Sequence, residues 1–397
     1  MKLAEFYNGV ELHRVEKMVY ARLVAPHRVL STCRSRTGGL HDDLLYLYNH
    51  QSCEPAGGSM DNRLCRLAID RPDDYKREVA EQHNLPFQRC ATLGTAANMN
   101  NAAICHDKFC DLEVVTVCTG GVEGNAGRAG DPASYYEPLD DSASGEKVPE
   151  SDPMPGTINA MIFINRELTP GAMVTAVITA TEAKTAALQE LEVASRYSEG
   201  LATGTGTDQM AVSCKLGGKA ICFAGKHSKV GELIGRTMHD AVLQTLALQN
   251  RLTPASQCTS LAHLERFGID GQEMCRKIAE RLSGGDAAIF KKNFANVIKD
   301  PPTVAAVAAL VHLRDKFLWG TLPRSCLPEV MACYGAGISA AVSGKSHRIC
   351  GYMQALSALQ MSLDKHEFLE FVYQAFALGF GEKWCDPKRG AGEGTGT

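Results

Sequence analysis

Residues 156–191 read GTINAMIFINRELTPGAMVTAVITATEAKTAALQEL. Thr157 to Asn165 is a short, almost continuous apolar run, the pattern of a strand buried on both faces. Thr169-Pro170 then supplies an N-cap and a first-turn proline, where a missing N–H costs nothing. The Ala-, Leu- and Glu-rich stretch that follows predicts a helix to about Ala194. A buried strand delivered straight into a long helix is the unit of an α/β sheet.

The neighbouring sequence extends that unit on both sides. Upstream, Leu112 to Cys118 (LEVVTVC) is an apolar run of strand length that stops at Thr119-Gly120-Gly121, and a polar loop runs on to Pro155. Downstream, the glycine-rich Gly204 to Thr207 leads into Gln209–Lys215 and Lys219–Ala224, read as a hairpin turning at Gly217-Gly218. A second long helix is expected from Ser228 to about Asn250. Nearer the N-terminus, Met18–Val24 and Arg28–Ser31 read as short strands parted by Pro26, and Asp73–Gln82 as a helix. Gly and polar residues crowd the stretch between them, including Thr37-Gly38-Gly39 and Asn49-His50-Gln51. The expected fold class is α/β (mixed α+β), one mixed sheet packed by the two long helices. Beyond Leu252 strand signals cease and helical stretches follow at 271–281, 304–319 and 327–342. A domain boundary near residue 253 and an all-helical second domain are therefore expected. The Gly-rich tail, Lys388 to Thr397, is expected to be disordered.

Composition narrows the class of function. Of 397 residues, 45% are hydrophobic and 22% charged, and the net charge is -4. That is ordinary globular make-up, with no global pull toward nucleic acid or an anionic membrane. MKLAEFYNGVELHR has no uninterrupted apolar stretch of the kind that directs secretion. The most apolar later segment, Val304 to Leu313, is half the roughly 20 residues a membrane span needs. The 15 cysteines are scattered with no CxxC, the closest pair being Cys105 and Cys110. Reduced thiols in a cytoplasmic protein are expected, with a Cys/His cluster assembled in space as the alternative.

Four stretches cluster small residues with charged or hydroxyl side chains. They are TGGVEGNAGRAGD (119–131), ITATEAKTAAL (178–188), ATGTGTDQ (202–209) and AGKHSKVGELIG (224–235). In order and spacing, together with the 156–191 unit, they resemble the adenosylcobinamide amidohydrolase family. LSTCRSRTGG (30–39) fits that family's N-terminal portion less closely, and the resemblance covers about residues 1–250. It implies hydrolysis of the amide between a corrin propionate and the aminopropanol linker of adenosylcobinamide. The product would be adenosylcobyric acid, for cobamide salvage and remodelling. The implied partner is a corrinoid small molecule, with no nucleic acid and no membrane. No cofactor is expected, since the substrate itself carries cobalt.

Amide hydrolysis needs a nucleophile or activated water, an oxyanion stabiliser and a proton donor for the departing amine. Thr175, Thr179 and Glu182 fall at i, i+4 and i+7 on the predicted helix. Glu182 is the candidate general base if that face looks into a cleft. The alternative is an exposed face with Glu182 in water or paired with a lysine. Lys226, His227 and Ser228 open the next helix, where N–H groups favour negative charge. His227 is the candidate acid, the alternative being Ser228 as a helix cap with His227 in solvent. A P-loop reading of GKHS fails because Ala220 stands where its first glycine belongs. Thr205, Thr207 and Asp208 lie on a loop whose glycines can turn N–H groups onto an oxyanion. Thr207 or Thr205 is a candidate nucleophile and Asp208 an orienter of His227. Otherwise the loop is a tight connection. Glu123, Asn125, Arg128 and Asp131 are candidates for reading corrin amides, or else a solvated surface cluster. Asn98, Asn100 and Asn101 are weaker ones. Asp208, His227 and Glu232 have ligand chemistry, but with no HExxH-like pair no metal site is expected. Competing readings are a non-catalytic corrinoid-binding protein, a phosphatase acting on cobinamide phosphate, and a scaffold role for the C-terminal helices.

Overall fold

The computed structural model describes residues 1–53, 63–133 and 156–384. The expected tail at 388–397, and the part of the polar loop from 134 to 155, lie outside them. The chain divides into two compact units, Met1–Pro254 and Ala255–Thr397.

Among the described residues the first unit carries thirteen strands and four helices. In chain order they are β1 Lys2–Phe6, β2 Val10–Val15, β3 Met18–Leu23, β4 His27–Ser31, β5 Gly39–His41, β6 Tyr46–Gln51, α1 Arg63–Asp70 and α2 Pro72–Gln82. They continue with β7 Cys90–Thr95, β8 Ala103–Phe109, β9 Leu112–Gly121, β10 Ala126–Gly127, β11 Thr157–Ile164, α3 Pro170–Glu190, β12 Gly204–Thr205, β13 Gln209–Lys215 and α4 Lys229–Asn250. The strands form two main sheets rather than one. Their orders are β1-β2-β3-β6-β7 and β5-β4-β13-β11-β9-β8, with a small β10-β12 ribbon beside them. Within each main sheet one pair is parallel, β6 with β7 and β11 with β13. A parallel pair needs a crossover. The chain supplies it with α1–α2 in the first sheet and α3 in the second.

The β11 sequence explains the layering. All eight of its residues are buried. Ile158, Ala160, Ile162 and Ile164 pack with α3 and α4 residues such as Met173, Ala180, Leu233 and Val242. Met161 and Phe163 point the other way, into a core shared with Val10, Leu12, Ala21 and Leu47 of the first sheet. The outer face of the first sheet packs Met18, Tyr48 and Cys90 on Tyr75 and Val79 of α2. The order of layers is helices, sheet, sheet, helices.

Two expectations are corrected, and one unassigned polar stretch finds its place. Residues 219–224 are not a strand, because both edges of β13 are already occupied, by β11 and by β4. Ile221 instead makes an isolated parallel bridge to Leu168. Asn49-His50-Gln51 is part of β6, an interior strand whose polar side chains are buried. Cys53 and Cys65 form a disulfide. The end of β6 and the start of α1 bring together two cysteines that are twelve residues apart.

The second unit is helical. After α5 Pro254–Gln257, at the division, come α6 Ser260–Leu264, α7 Gly271–Ala279, α8 Gly284–Lys299, α9 Pro301–Leu318, α10 Leu327–Ser343, α11 Ile349–Ser357 and α12 Lys365–Gly381. By length and composition the segment Arg324–Ser343 suffices to cross a membrane. Here its buried stripe packs on α12. Phe371 lies against Gly335, and Gly379 lies so close to Ser339 that a Cβ at Gly379 would overlap its backbone.

Candidate active site

The loop before β13 puts Asp208 where many donors converge. Its Oδ1 accepts from the Ile158 N–H at 2.9 Å and from the Thr205 hydroxyl at 2.6 Å. Its Oδ2 accepts from the Thr205 N–H at 3.1 Å and from the Lys184 ammonium. Both members of the ion pair are mostly covered, the side chains being 10% and 16% exposed. Gly204 makes the approach possible. A Cβ there would overlap Asp208 Oδ2 and lie 2.8 Å from Lys184 Nζ. The result is a hydroxyl, a carboxylate and a buried ammonium in sequence. Beside them the Cys118 thiol is pushed well up by burial, with the Asp208 charge adding to the effect. That makes it a poor nucleophile.

Thr207 lies on the same loop but is exposed and points elsewhere. Its hydroxyl donates to the Gly156 carbonyl at 2.8 Å and meets the Thr157 hydroxyl. Asn125 Nδ2 donates to Gly156 O at 3.1 Å, and the Tyr197 hydroxyl donates to Asn125 Oδ1 at 2.8 Å. Asn125 thus clasps the start of β11 to the glycine-threonine loop.

The 119–131 and 202–209 segments meet directly. Ala126 pairs with Thr205 and Gly127 with Gly204. Asp131 Oδ2 accepts from the Arg128 N–H at 2.7 Å and the Ser195 hydroxyl at 2.6 Å. Burial acts against its charge, but hydrogen bonds from Ser195, Ser198 and Arg128 hold its carboxyl below the usual range. The Arg128 guanidinium donates to Leu201 O at 3.2 Å. Glu123 is exposed. Asp131 and Asn125 therefore fasten loops, while Glu123 and Arg128 remain open to solvent.

The third and fourth segments meet along α3. Thr179 donates to the Ala224 carbonyl at 3.0 Å, and Lys226 pairs with Glu182. That pair is open to water, with side chains 63% and 47% exposed. Ser228 is the N-cap of α4, accepting from the Gly231 N–H at 3.1 Å. His227 is exposed. Thr175 bonds back to the Gly171 carbonyl of its own helix. Residues two apart on a helix point about 200° away from each other. Glu182 therefore serves the Lys226 turn on one flank of α3, and Lys184 serves Asp208 on the other. Asp208 takes its bonds from Ile158, Thr205 and Lys184, and His227 is not among its partners.

Lys184 was missed at the level of sequence, and so was a polar row next to the loop, buried at Thr119 and Asn159 and half-buried at Gln209. Thr119, Asn159 and Gln209 are in register across β9, β11 and β13. Asn at the third position of the strand TINAMIFI, apolar from there on, was the available signal. Asn98 and Asn101 sit against the end of α4, both held by Gln249 Oε1. Glu232 is drawn to Lys229 and Arg236. Among the described residues no three His, Cys, Asp or Glu side chains come together as a metal site.

Residues 3–254 match a family model described as adenosylcobinamide amidohydrolase. An uncharacterized protein of Methanocaldococcus jannaschii is 37% identical over 184 residues, covering 45% of this chain and 71% of that protein.

Proposed function

Because the chain belongs to the adenosylcobinamide amidohydrolase family, we propose that it hydrolyses the amide joining the aminopropanol arm to the corrin ring of adenosylcobinamide. The products are the free amine and adenosylcobyric acid, the latter feeding cobamide salvage and remodelling. The observation that carries the mechanism is the chain of contacts Thr205 Oγ1, Asp208, Lys184. Thr205 attacks the amide carbon as its proton passes to Asp208. The C–N bond then breaks and the amine leaves with that proton. Water cleaves the resulting ester, releasing the carboxylic acid and restoring the hydroxyl. The Lys184 ammonium holds the Asp208 carboxylate in place and stabilises negative charge in a site shielded from water. Glu123 and Arg128, open to solvent on the adjoining loop, are the groups available to the amide side chains of the corrin. The protein contributes no cofactor of its own in this reading, and cobalt enters with the substrate. Twelve described cysteines carry free thiols, which fits a cytoplasmic setting.

A second reading places the base at Glu182 and the acid at His227. Its support is the openness of the Glu182–Lys226 pair, which a bulky substrate can reach. Turnover of purified protein with adenosylcobinamide, followed as adenosylcobyric acid, separates the two. Thr205→Ala and Asp208→Asn should each lose about 10²-fold or more in kcat, and Glu182→Gln should lose little. Near-normal turnover by Thr205→Ala with a dead Glu182→Gln would establish the second reading instead. Phosphate release from cobinamide phosphate without amide cleavage would point to a phosphatase.

A further inference from the structure

The face of the second sheet that looks at the first is apolar along most of its length. Val117, Met161 and Ala211 form one row across it, in register and buried in the core between the sheets. The next row toward Asp208 is Thr119, Asn159 and Gln209, and it is polar throughout. Asn159 is wholly buried and Asn49, above it on β6, is 3% exposed.

Every polar atom of the Asn159 carboxamide is used. Nδ2 donates to the Gly94 carbonyl of β7 at 2.9 Å and to Asn49 Oδ1 at 3.1 Å. Oδ1 accepts from the Gln209 backbone N–H at 3.2 Å. Asn49 in turn donates to the Thr119 hydroxyl at 2.6 Å. The Gln209 carboxamide lies against the Gly94 peptide at 3.3 Å. One side chain on β11 thus holds two strands of the opposite sheet and the first residue of β13.

That first residue follows Asp208. The Asp208 carboxylate is held by the N–H of Ile158, the residue before Asn159. Two adjacent residues of β11 therefore grip two adjacent residues at the mouth of β13, Ile158 by its backbone and Asn159 by its side chain. A buried amide in an apolar core is costly unless fully bonded, and a fully bonded one specifies a single arrangement. An apolar residue of the same size would fill the space but leave the Gln209 N–H without an acceptor.

We propose that Asn159 is a positioning residue of the active site, setting where Asp208 stands relative to Thr205 and Lys184 through its bond to the Gln209 N–H. This rests on the Thr205–Asp208–Lys184 reading above. The control is Asn49, whose loss removes a buried bond from the same network and leaves the Gln209 contact intact.

The test compares Asn159→Leu, Asn49→Leu and Asp208→Asn in the full chain. For each, thermal unfolding and kcat and KM for adenosylcobinamide are measured. Asn159→Leu and Asn49→Leu should lower the melting temperature to similar degrees. Asn159→Leu should lower kcat at least tenfold with KM within twofold, whereas Asn49→Leu should keep kcat within threefold. Asn159→Asp, which keeps an acceptor for Gln209, should recover part of the lost kcat. An active Asp208→Asn overturns the underlying reading. An inactive Asp208→Asn beside an unimpaired Asn159→Leu overturns the positioning role. So does an equal loss of kcat in the two leucine variants. Should Asn159→Leu fail to fold, Asn159→Ala, which also removes the acceptor, takes its place: kcat lowered at least tenfold with KM within twofold supports the role, and wild-type kcat rejects it.

Discussion

At the scale of single residues, burial of titratable groups makes stability depend on pH. His50 is 4% exposed, with Nδ1 2.7 Å from the Tyr75 hydroxyl. Burial, aided by the charges of His83 and Lys17, brings its pKa down from 6.5 to about 4. In the unfolded chain the ring takes up a proton below about pH 6.5, while in the folded chain it stays neutral to about 4. The stabilisation is therefore fully present above pH 6.5 and is lost as pH falls from there to 4. Two and a half pKa units correspond to on the order of 3 kcal/mol. Denaturant unfolding at pH 7 and pH 4.5 should show the loss, and His50→Gln should reduce it. An unchanged pH dependence in that variant would mean other groups are responsible. Gly204 makes a comparable point without charge: the Asp208–Lys184 pair is that close only because no Cβ stands between them.

At the scale of elements, α3 and α4 divide labour along their length. Ser228 caps α4 and also donates to the Gly225 carbonyl at 2.8 Å. Gly231 packs so tightly on that turn that a Cβ would overlap Gly225 O. Ser228→Ala should cost about 1 kcal/mol of stability. Its kcat should stay within about threefold of wild type, because capping and the Thr205 chemistry lie on different flanks of α3. A loss of kcat comparable to that of Asp208→Asn would place the turn in the chemistry. These helices and their starts were legible because capping residues are local: Thr169 and Ser228 announce themselves. The pairing of β13 was not, since Gly217-Gly218 looks like a hairpin turn. The N–H groups of both glycines instead bond to Glu167 Oε2. The same limit hid Lys184. Glu182 and Lys184 are two positions apart and equally polar, and only the arrangement around α3 decides which one is buried. The resemblance singled out loops that the fold brings into contact. Which of their residues touch was a matter of long-range contact, such as Asp131 with Ser195 or Asn125 with Tyr197.

At the scale of the whole molecule, each unit has its own buried core, and the family match stops where the first unit does. Within that unit the layers are not equivalent. β1 has a neighbour on one edge and intermediate or exposed side chains. β11 has neighbours on both edges and apolar cores on both faces. Deuterium reaches a backbone amide only when its hydrogen bond opens, and the opening free energy rises toward the global value in the best-covered strands. In heavy water the amides of Ala160 to Ile164 should be the last of the first unit to exchange, long after those of β1. Peptide-resolved mass spectrometry would show this, and earlier exchange in β11 than in β1 would refute it. The strand that grips Asp208 at one end would then be the part of the fold that keeps its hydrogens longest. Asp208 would thus be anchored to the segment that opens least often, and the backbone beneath the proposed site would hold still on the timescale on which the rest of the unit breathes.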